Sequence, residues 1–401
     1  MTQQKDSLIS ASEVTSSAGV VATDTREAAL LGAQVLARGG NAMDAAAAAC
    51  LASCILEPEA AGIGGYACCA VILEGASGKV WSLDANSVAP AAARPDMFAL
   101  APARKQGRTI NEVEYSCRVK NDANLYGPLA VSVPGVMAGI GLMWEKWGRL
   151  KWHEIVEPSL ALISNGLTFG QAAAAVQARQ GVMRNFEATW QYLVPDGKVP
   201  GPETPWHPAE LEKTLTRIKS AGWHDFYQGE LGRAIGNYIS ESGGALTARD
   251  MSRYRPAALQ PLTAAFRNGR IYGSNLPNGA LSSLQILNML DSFEAAADDD
   301  VVYWHRLGEV LKLAWRDRLL YLGDPEHAEV PVEKLLSPEY AAGRVETLRQ
   351  FPEYVDPLTP RCPEEPPGGT IQVSAADCEG NLAAATISHG GLFGSCVTVS
   401  G

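Results

Sequence analysis

One stretch near the end of the chain restricts the fold more than any other. Thr370-Ile371-Gln372-Val373-Ser374-Ala375 leads into a turn cluster, Asp377-Cys378-Glu379-Gly380-Asn381, and a second apolar run returns from Leu382 to Ser388. Alternation at period two predicts a strand with Ile371, Val373 and Ala375 on one side and Thr370, Gln372 and Ser374 on the other. A hairpin symmetric about Glu379 sets Thr370 opposite Ser388 and Gln372 opposite Thr386. The hairpin then has one polar and one apolar face, as a strand pair does when only one of its sides is buried.

A second element is legible upstream. Asn41 is placed to N-cap a helix over 42–55 built almost wholly from alanine and other small residues, which can pack very close to a sheet. Asp44 falls in its first turn, where the helix dipole favours a negative charge. Before it, residues 19–23 read as a short strand, and 26–38 as a helix stopped by Gly39-Gly40. A hairpin follows over 67–84, and 130–135 reads as another strand end. Helices are expected over 135–147 and 152–165, and the pattern stays mostly helical to about residue 242, broken by a Pro-rich loop over 195–208. Thr247 is placed as a helix cap. A strand over 270–274, a turn over 275–279 and helices over 281–293 and 302–322 come next. Residues 352–369, rich in Pro and Glu, read as an exposed linker where cleavage is sterically easy. Strands, then helices, then strands describe an α+β body rather than a regular βαβ alternation.

The chain has 401 residues, 46% of them hydrophobic, enough for a large core in one domain or two. The net charge is −11 with no basic stripe, which argues against nucleic acid as a partner. The N-terminal residues are polar with no apolar h-region, and no apolar run is long enough to span a membrane. A cytoplasmic location is the default expectation. Eight cysteines show neither a CxxC pair nor Cys/His ligand spacing, so no metal is expected and most should be small buried hydrophobes. Gly62-x-Gly64-Gly65 stands between a helix and a strand, the wrong order for a phosphate cradle. His305 is expected on the polar side of a long helix, Trp304 and Trp315 in the core, and Arg316-Asp317-Arg318 as a surface ion cluster.

Thr370 admits two readings. A threonine on a strand is a β-branched strand former. A threonine freed by cleavage of the chain can instead use its own α-amino group as general base for its hydroxyl. That chemistry needs a hydroxyl at the first residue of a new chain, a small residue before it and polar neighbours. Gly369, Thr370 and Ser388 supply them, and the Gly-Gly pair leaves the backbone there sterically open.

Several pieces in one order carry a resemblance. They are Gly39-Gly40-Asn41-Ala42-Met43-Asp44, Glu57-Pro58 with Gly62-Ile63-Gly64-Gly65, and Ala89-Pro90 with Arg94 and Asp96-Met97-Phe98. Val133-Pro134-Gly135, Leu246-Thr247-Ala248 and Tyr321-Leu322-Gly323-Asp324-Pro325 follow, then Gly369-Thr370 with Asp377, Gly380-Asn381, Thr386 and Phe393-Gly394. Together they resemble the γ-glutamyltranspeptidase family of N-terminal-nucleophile hydrolases. The resemblance implies an αββα sandwich and a precursor that cuts itself at Gly369–Thr370. It makes Thr370 the nucleophile of amide acyl transfer, with Ser388 beside the new α-amine and Thr386 on the same strand. It implies no metal or cofactor, a small-molecule amide substrate, and a heterodimer of the two cleaved pieces.

By that match, residues 1–18 are a tail, 19–369 a large-subunit-like region and 370–401 the start of a small-subunit-like region. The sandwich is then incomplete at its C-terminus, to be completed by a longer or a second polypeptide. Two positions depart from the family. Asn86 stands where γ-glutamyl enzymes carry an arginine that clamps the substrate carboxylate, and Gly390 where they place an asparagine against the substrate. Both positions are expected to face substrate, and the loss of the arginine argues against glutathione. A rival reading is a catalytically inactive fragment or paralogue kept as a scaffold or binding partner; a third is an acylase on a bulkier amide such as a β-lactam side chain.

Overall fold

The computed structural model describes residues 14–102, 118–293, 301–350 and 369–399. Strands β1 (Gly19–Ala22), β2 (Ala67–Glu74), β3 (Lys79–Asn86), β4 (Ala257–Leu259), β7 (Thr370–Asp377) and β8 (Leu382–Ser388) form one antiparallel sheet in the order β1-β7-β8-β2-β3-β4. A second, two-stranded sheet pairs β5 (Leu262–Phe266) with β6 (Gly269–Gly273). The hairpin has the register that alternation implies: Thr370 faces Ser388 and Gln372 faces Thr386. Continued across the sheet, that register makes two rows on one face, Thr370–Ser388–Ala67–Asn86 and Gln372–Thr386–Cys69–Asp84.

The opposite face carries Ile371, Val373, Ala385 and Ile387, all fully buried. Against it lies α2 (Ala42–Leu56), whose residues 42 to 55 are buried without exception. Alanine makes this geometry affordable. It is the best helix former, and its methyl side chain lets the helix axis approach the strands closely. Helices α1 (Arg26–Ala37), α3 (Val136–Trp147) and α4 (Trp152–Ser164) pack around α2.

The start of α2 is a joint for three segments. Asn41 and Asp44 form a reciprocal capping box. Asp44, fully buried, also accepts the backbone N–H groups of Arg149 (2.9 Å) and Leu150 (3.2 Å). Burial pushes its carboxyl pKa up, and these backbone donors oppose that shift. Asp377 at the end of β7 accepts the Ala42 N–H at 2.9 Å, which ties the hairpin to the helix.

On the polar side of the sheet, β6 and α5 (Ala280–Asp291) stand across a cavity of about 280 Å³. Its walls include Cys69, Gln372 and Thr386 from the sheet and Tyr272, Ser274 and Leu284 from the other side. Behind α5 lie α6 (Val301–Tyr321) and α7 (Pro338–Gln350).

Helix α6 corrects two expectations. Trp304 and Trp315 are 61% and 47% exposed, not core residues. Asp317 is fully buried, not a surface ion; it pairs with Arg344 and accepts from Gln285 Nε2 (2.5 Å) and the Tyr340 hydroxyl (3.0 Å). The inward stripe of α6 is Val310, Leu313, Ala314 and Asp317, at spacings of three and four. Helical phase, not polarity, decides which residues turn inward. Residues 130–135 are not a strand either: a 3₁₀ turn, Pro128–Ala130, precedes a single bridge from Val133 to Val88. Strands β4 and β5 went unread because their alternation is short and weak. The linker expected over 352–369 lies outside the described residues except for Gly369. Among the described residues, no helix is long and apolar enough to cross a membrane.

Candidate active site

The site starts at the first residue of β7. Thr370 is exposed on the polar face, and its Oγ1 lies 3.0 Å from Ser388 Oγ across the strand pair. Ser388 Oγ accepts the Gly390 N–H at 2.8 Å and lies 3.4 Å from the Gly369 carbonyl oxygen. A serine hydroxyl has one donor and two acceptor positions. One assignment satisfies all three contacts: Thr370 and Gly390 donate to Ser388, and Ser388 donates to the Gly369 carbonyl. The hydroxyl of Thr370 and the carbonyl just before it are thus linked through a single atom. Gly390, at φ +84°, holds the left-handed backbone that turns its N–H onto Ser388.

A platform that the sequence reading missed supports this arrangement from behind. The Ala60 carbonyl accepts the His389 N–H, and the Glu59 carbonyl accepts the Phe393 N–H, each at 2.9 Å. Ala60 also presses on Gly369, where a Cβ would come within 2.6 Å of the Ala60 Cβ. Gly369 is therefore required by close approach, and the open, loose backbone expected there is not found. A Cβ at Gly65 would meet Val136 at 2.8 Å and the Ser388 carbonyl at 3.0 Å. The Gly62–Gly65 turn is a packing surface under β8. The available signal was the glycine cluster itself; its partner could not be read from the sequence.

Electrostatics on the platform are unusual. Glu57 and Glu59 are 7% and 8% exposed, and each has one carboxylate oxygen with no hydrogen-bond partner among the described residues. Burial, followed by the nearby charges of Asp24 and Glu59, pushes Glu57 up to about 7. Burial likewise raises Glu59. The half-buried His389 is pushed down to about 4 by burial, against a hydrogen bond to the Pro58 backbone that favours the charged ring.

Of the residues singled out in the sequence, the structure brings Gly369, Thr370, Ser388 and Gly390 together. Thr386 is one row away, where it donates to Gln372 Oε1 at 2.6 Å. Asn86 lies three strands from Thr370, in the same row. Its Nδ2 donates to Asp84 Oδ1 at 2.6 Å and to Asn278 Oδ1 at 3.0 Å, so both amide hydrogens are committed within the protein.

The six-stranded sheet, backed by α2 and fronted by α5, has the fold of the N-terminal-nucleophile hydrolases, as its structural neighbours show. Among solved structures, the chain superposes on the cephalosporin acylase from Bacillus halodurans with a TM-score of 0.81 at 26% identity, covering 100% of this chain and 71% of that one. It superposes on Helicobacter pylori gamma-glutamyltranspeptidase with a TM-score of 0.76 at 28% identity, covering 88% of this chain and 97% of that chain. Its sequence is 29% identical over 397 residues to the glutathione hydrolase proenzyme of Pseudomonas aeruginosa, covering 98% of this chain and 67% of the relative. It is also 29% identical over 391 residues to the acylase ACY 1 proenzyme of Pseudomonas sp. (strain SE83), covering 96% and 68%. The chain spans about two thirds of the length of these curated relatives. The family model for gamma-glutamyltranspeptidase matches residues 28–401, and the chain belongs to that family.

Proposed function

We propose that this chain is a self-cleaving amide hydrolase and acyltransferase with Thr370 as its nucleophile. The observation that carries the reading is the single serine hydroxyl, Ser388, within reach of both Thr370 Oγ1 (3.0 Å) and the Gly369 carbonyl (3.4 Å). In the cleavage step Thr370 Oγ1 attacks the Gly369 carbonyl carbon. The Gly369–Thr370 C–N bond breaks as a C–O ester forms, and the departing nitrogen takes up the proton that the hydroxyl gives up. Water then hydrolyses the ester, leaving a carboxylate on Gly369 and an α-amine on Thr370. In the second reaction that amine accepts the Thr370 hydroxyl proton as the oxygen attacks a substrate amide carbonyl. The substrate's amine leaves with the proton, and water or a second amine takes the acyl group.

Residues 19–369 are then the large-subunit region and 370–401 the start of the small-subunit region, and the two cleaved pieces stay together as a heterodimer. The proenzyme designation of the bacterial relatives supports cleavage, and the mixture of hydrolase and acylase names among them supports amide chemistry. Glutathione is not the substrate in this reading, because Asn86 has no free donor for a carboxylate.

The test is the intact mass of the purified chain beside Thr370→Ala. The expected result is a wild type split between Gly369 and Thr370 and a variant that stays whole. A variant that splits at the same bond, or a wild type that stays whole also when the completing polypeptide is present, overturns the reading.

A further inference from the structure

Asp84 places a carboxylate at the end of a row on the polar face of the sheet. Among the described residues it forms no ion pair. Its Oδ1 accepts from the backbone N–H of Asn86 at 3.0 Å and from Asn86 Nδ2 at 2.6 Å, and no hydrogen bond from a described residue reaches its Oδ2. The side-chain donors of Asn86 are already occupied. Asn86 Nδ2 gives its second hydrogen to Asn278 Oδ1, and the Cys69 thiol donates to the same oxygen at 2.8 Å. The half-buried cluster therefore faces a visitor with acceptors and a negative charge. The charge is felt nearby: burial first, and Asp84 second, push the Cys69 thiol up to about 12.

The cluster shares a sheet face with the nucleophile. Asn86 ends the row that begins at Thr370, three inter-strand steps or about 14 Å away between backbones. The cavity over the adjacent row runs from Gln372, two residues along the strand from Thr370, to Cys69, which shares Asn278 with Asn86. Thr370 and Asp84 thus lie on one face of the sheet, and the cavity stands over the row that Asp84 ends.

We infer that Asp84, Asn86 and Asn278 form an acyl-recognition subsite for amides whose acyl chain crosses two strands and ends in an amine or another N–H donor. The subsite discriminates against chains that end in a carboxylate, which meet the like charge of Asp84. The inference rests on the assignment of Thr370 as nucleophile, and the test separates the two.

Binding is read on the Thr370→Ala protein by calorimetry with three chains of equal length: 8-aminooctanamide, octanamide and the monoamide of suberic acid. Turnover is read on the wild type with the matching p-nitroanilides. The amine-ended chain should bind about tenfold more tightly than the neutral one, and the acid-ended chain more weakly than either. Asp84→Asn, added to Thr370→Ala, should bring all three within about twofold. Asn86→Asp, which adds a second acceptor-only group, should raise the amine preference, so the two variants move the ratio in opposite directions. Equal binding of the three chains, a preference for the acid, or an amine preference that survives Asp84→Asn overturns the subsite. If binding follows the expected order but the wild type hydrolyses none of the anilides, the nucleophile assignment fails and the subsite stands. If the anilides are hydrolysed regardless of their end group, the nucleophile stands and the subsite fails.

Discussion

Ser388 and Gly369 make the sharpest demands on single side chains. Ser388→Ala removes the hydroxyl that links Thr370 to the scissile carbonyl, and cleavage should slow by at least about 100-fold. Ser388→Thr keeps the hydroxyl and should recover most of the rate; a time course of intact mass reads both. Gly369→Ala puts a methyl group 2.6 Å from the Ala60 Cβ and should block cleavage by shifting the carbonyl. Ala60→Gly in the same chain should relieve the block, and failure of that rescue would mean the contact is not what matters. Thr370 and Ser388 were legible as a facing pair because alternation and one turn cluster fix a hairpin register. The contact of Ala60 with Gly369 was not, because it joins residues more than 300 positions apart and alanine carries no local signal. Asn86 was read as facing substrate; that its amide hydrogens go to Asp84 and Asn278 was not legible, and only the second of these partners is remote in sequence.

Among the elements, α2 was the most legible and α6 the least. An alanine-rich run behind an Asn cap has few ways to be stable other than close burial, and α2 is buried throughout. Helix α6 has a regular apolar spacing, but tryptophan suggested core and aspartate suggested solvent, and both residues face the other way. Phase was the better guide there, since Val310, Leu313, Ala314 and Asp317 fall on one stripe. The joint at the start of α2 yields an element-scale prediction. Asp44→Ala strands the N–H groups of Asn41, Arg149 and Leu150 at a buried site. Urea unfolding should show a loss of about 3 kcal/mol, and Asp44→Asn, which keeps an acceptor oxygen, a smaller one.

At the scale of the molecule, the platform couples stability to pH. Glu57 titrates at about 7 when folded, against an ordinary 4.5, so the folded chain holds its proton where the unfolded chain has lost it. Its contribution to stability is full below pH 4.5 and falls as pH rises to about 7. His389 acts in the opposite sense: folded at about 4 against an ordinary 6.5, it loses stability as pH falls through that interval. Glu57→Gln removes the first term. Its melting temperature should match that of the wild type near pH 4.5, exceed it increasingly up to about pH 7 and hold a level excess above that. A constant difference across that range would exclude Glu57 as the source.

The pairing register of β7 begins at Thr370 itself, and the next residues inward, Ile371 and Val373, are locked in the core. A cut before Thr370 therefore severs no strand pairing. On the assignment proposed for Thr370, the new amine is released already fixed in place by hydrogen bonds and packing that do not involve the broken bond. The entropy of positioning the general base is settled when the sheet folds, and the first turnover needs no rearrangement of the sheet to follow the cut.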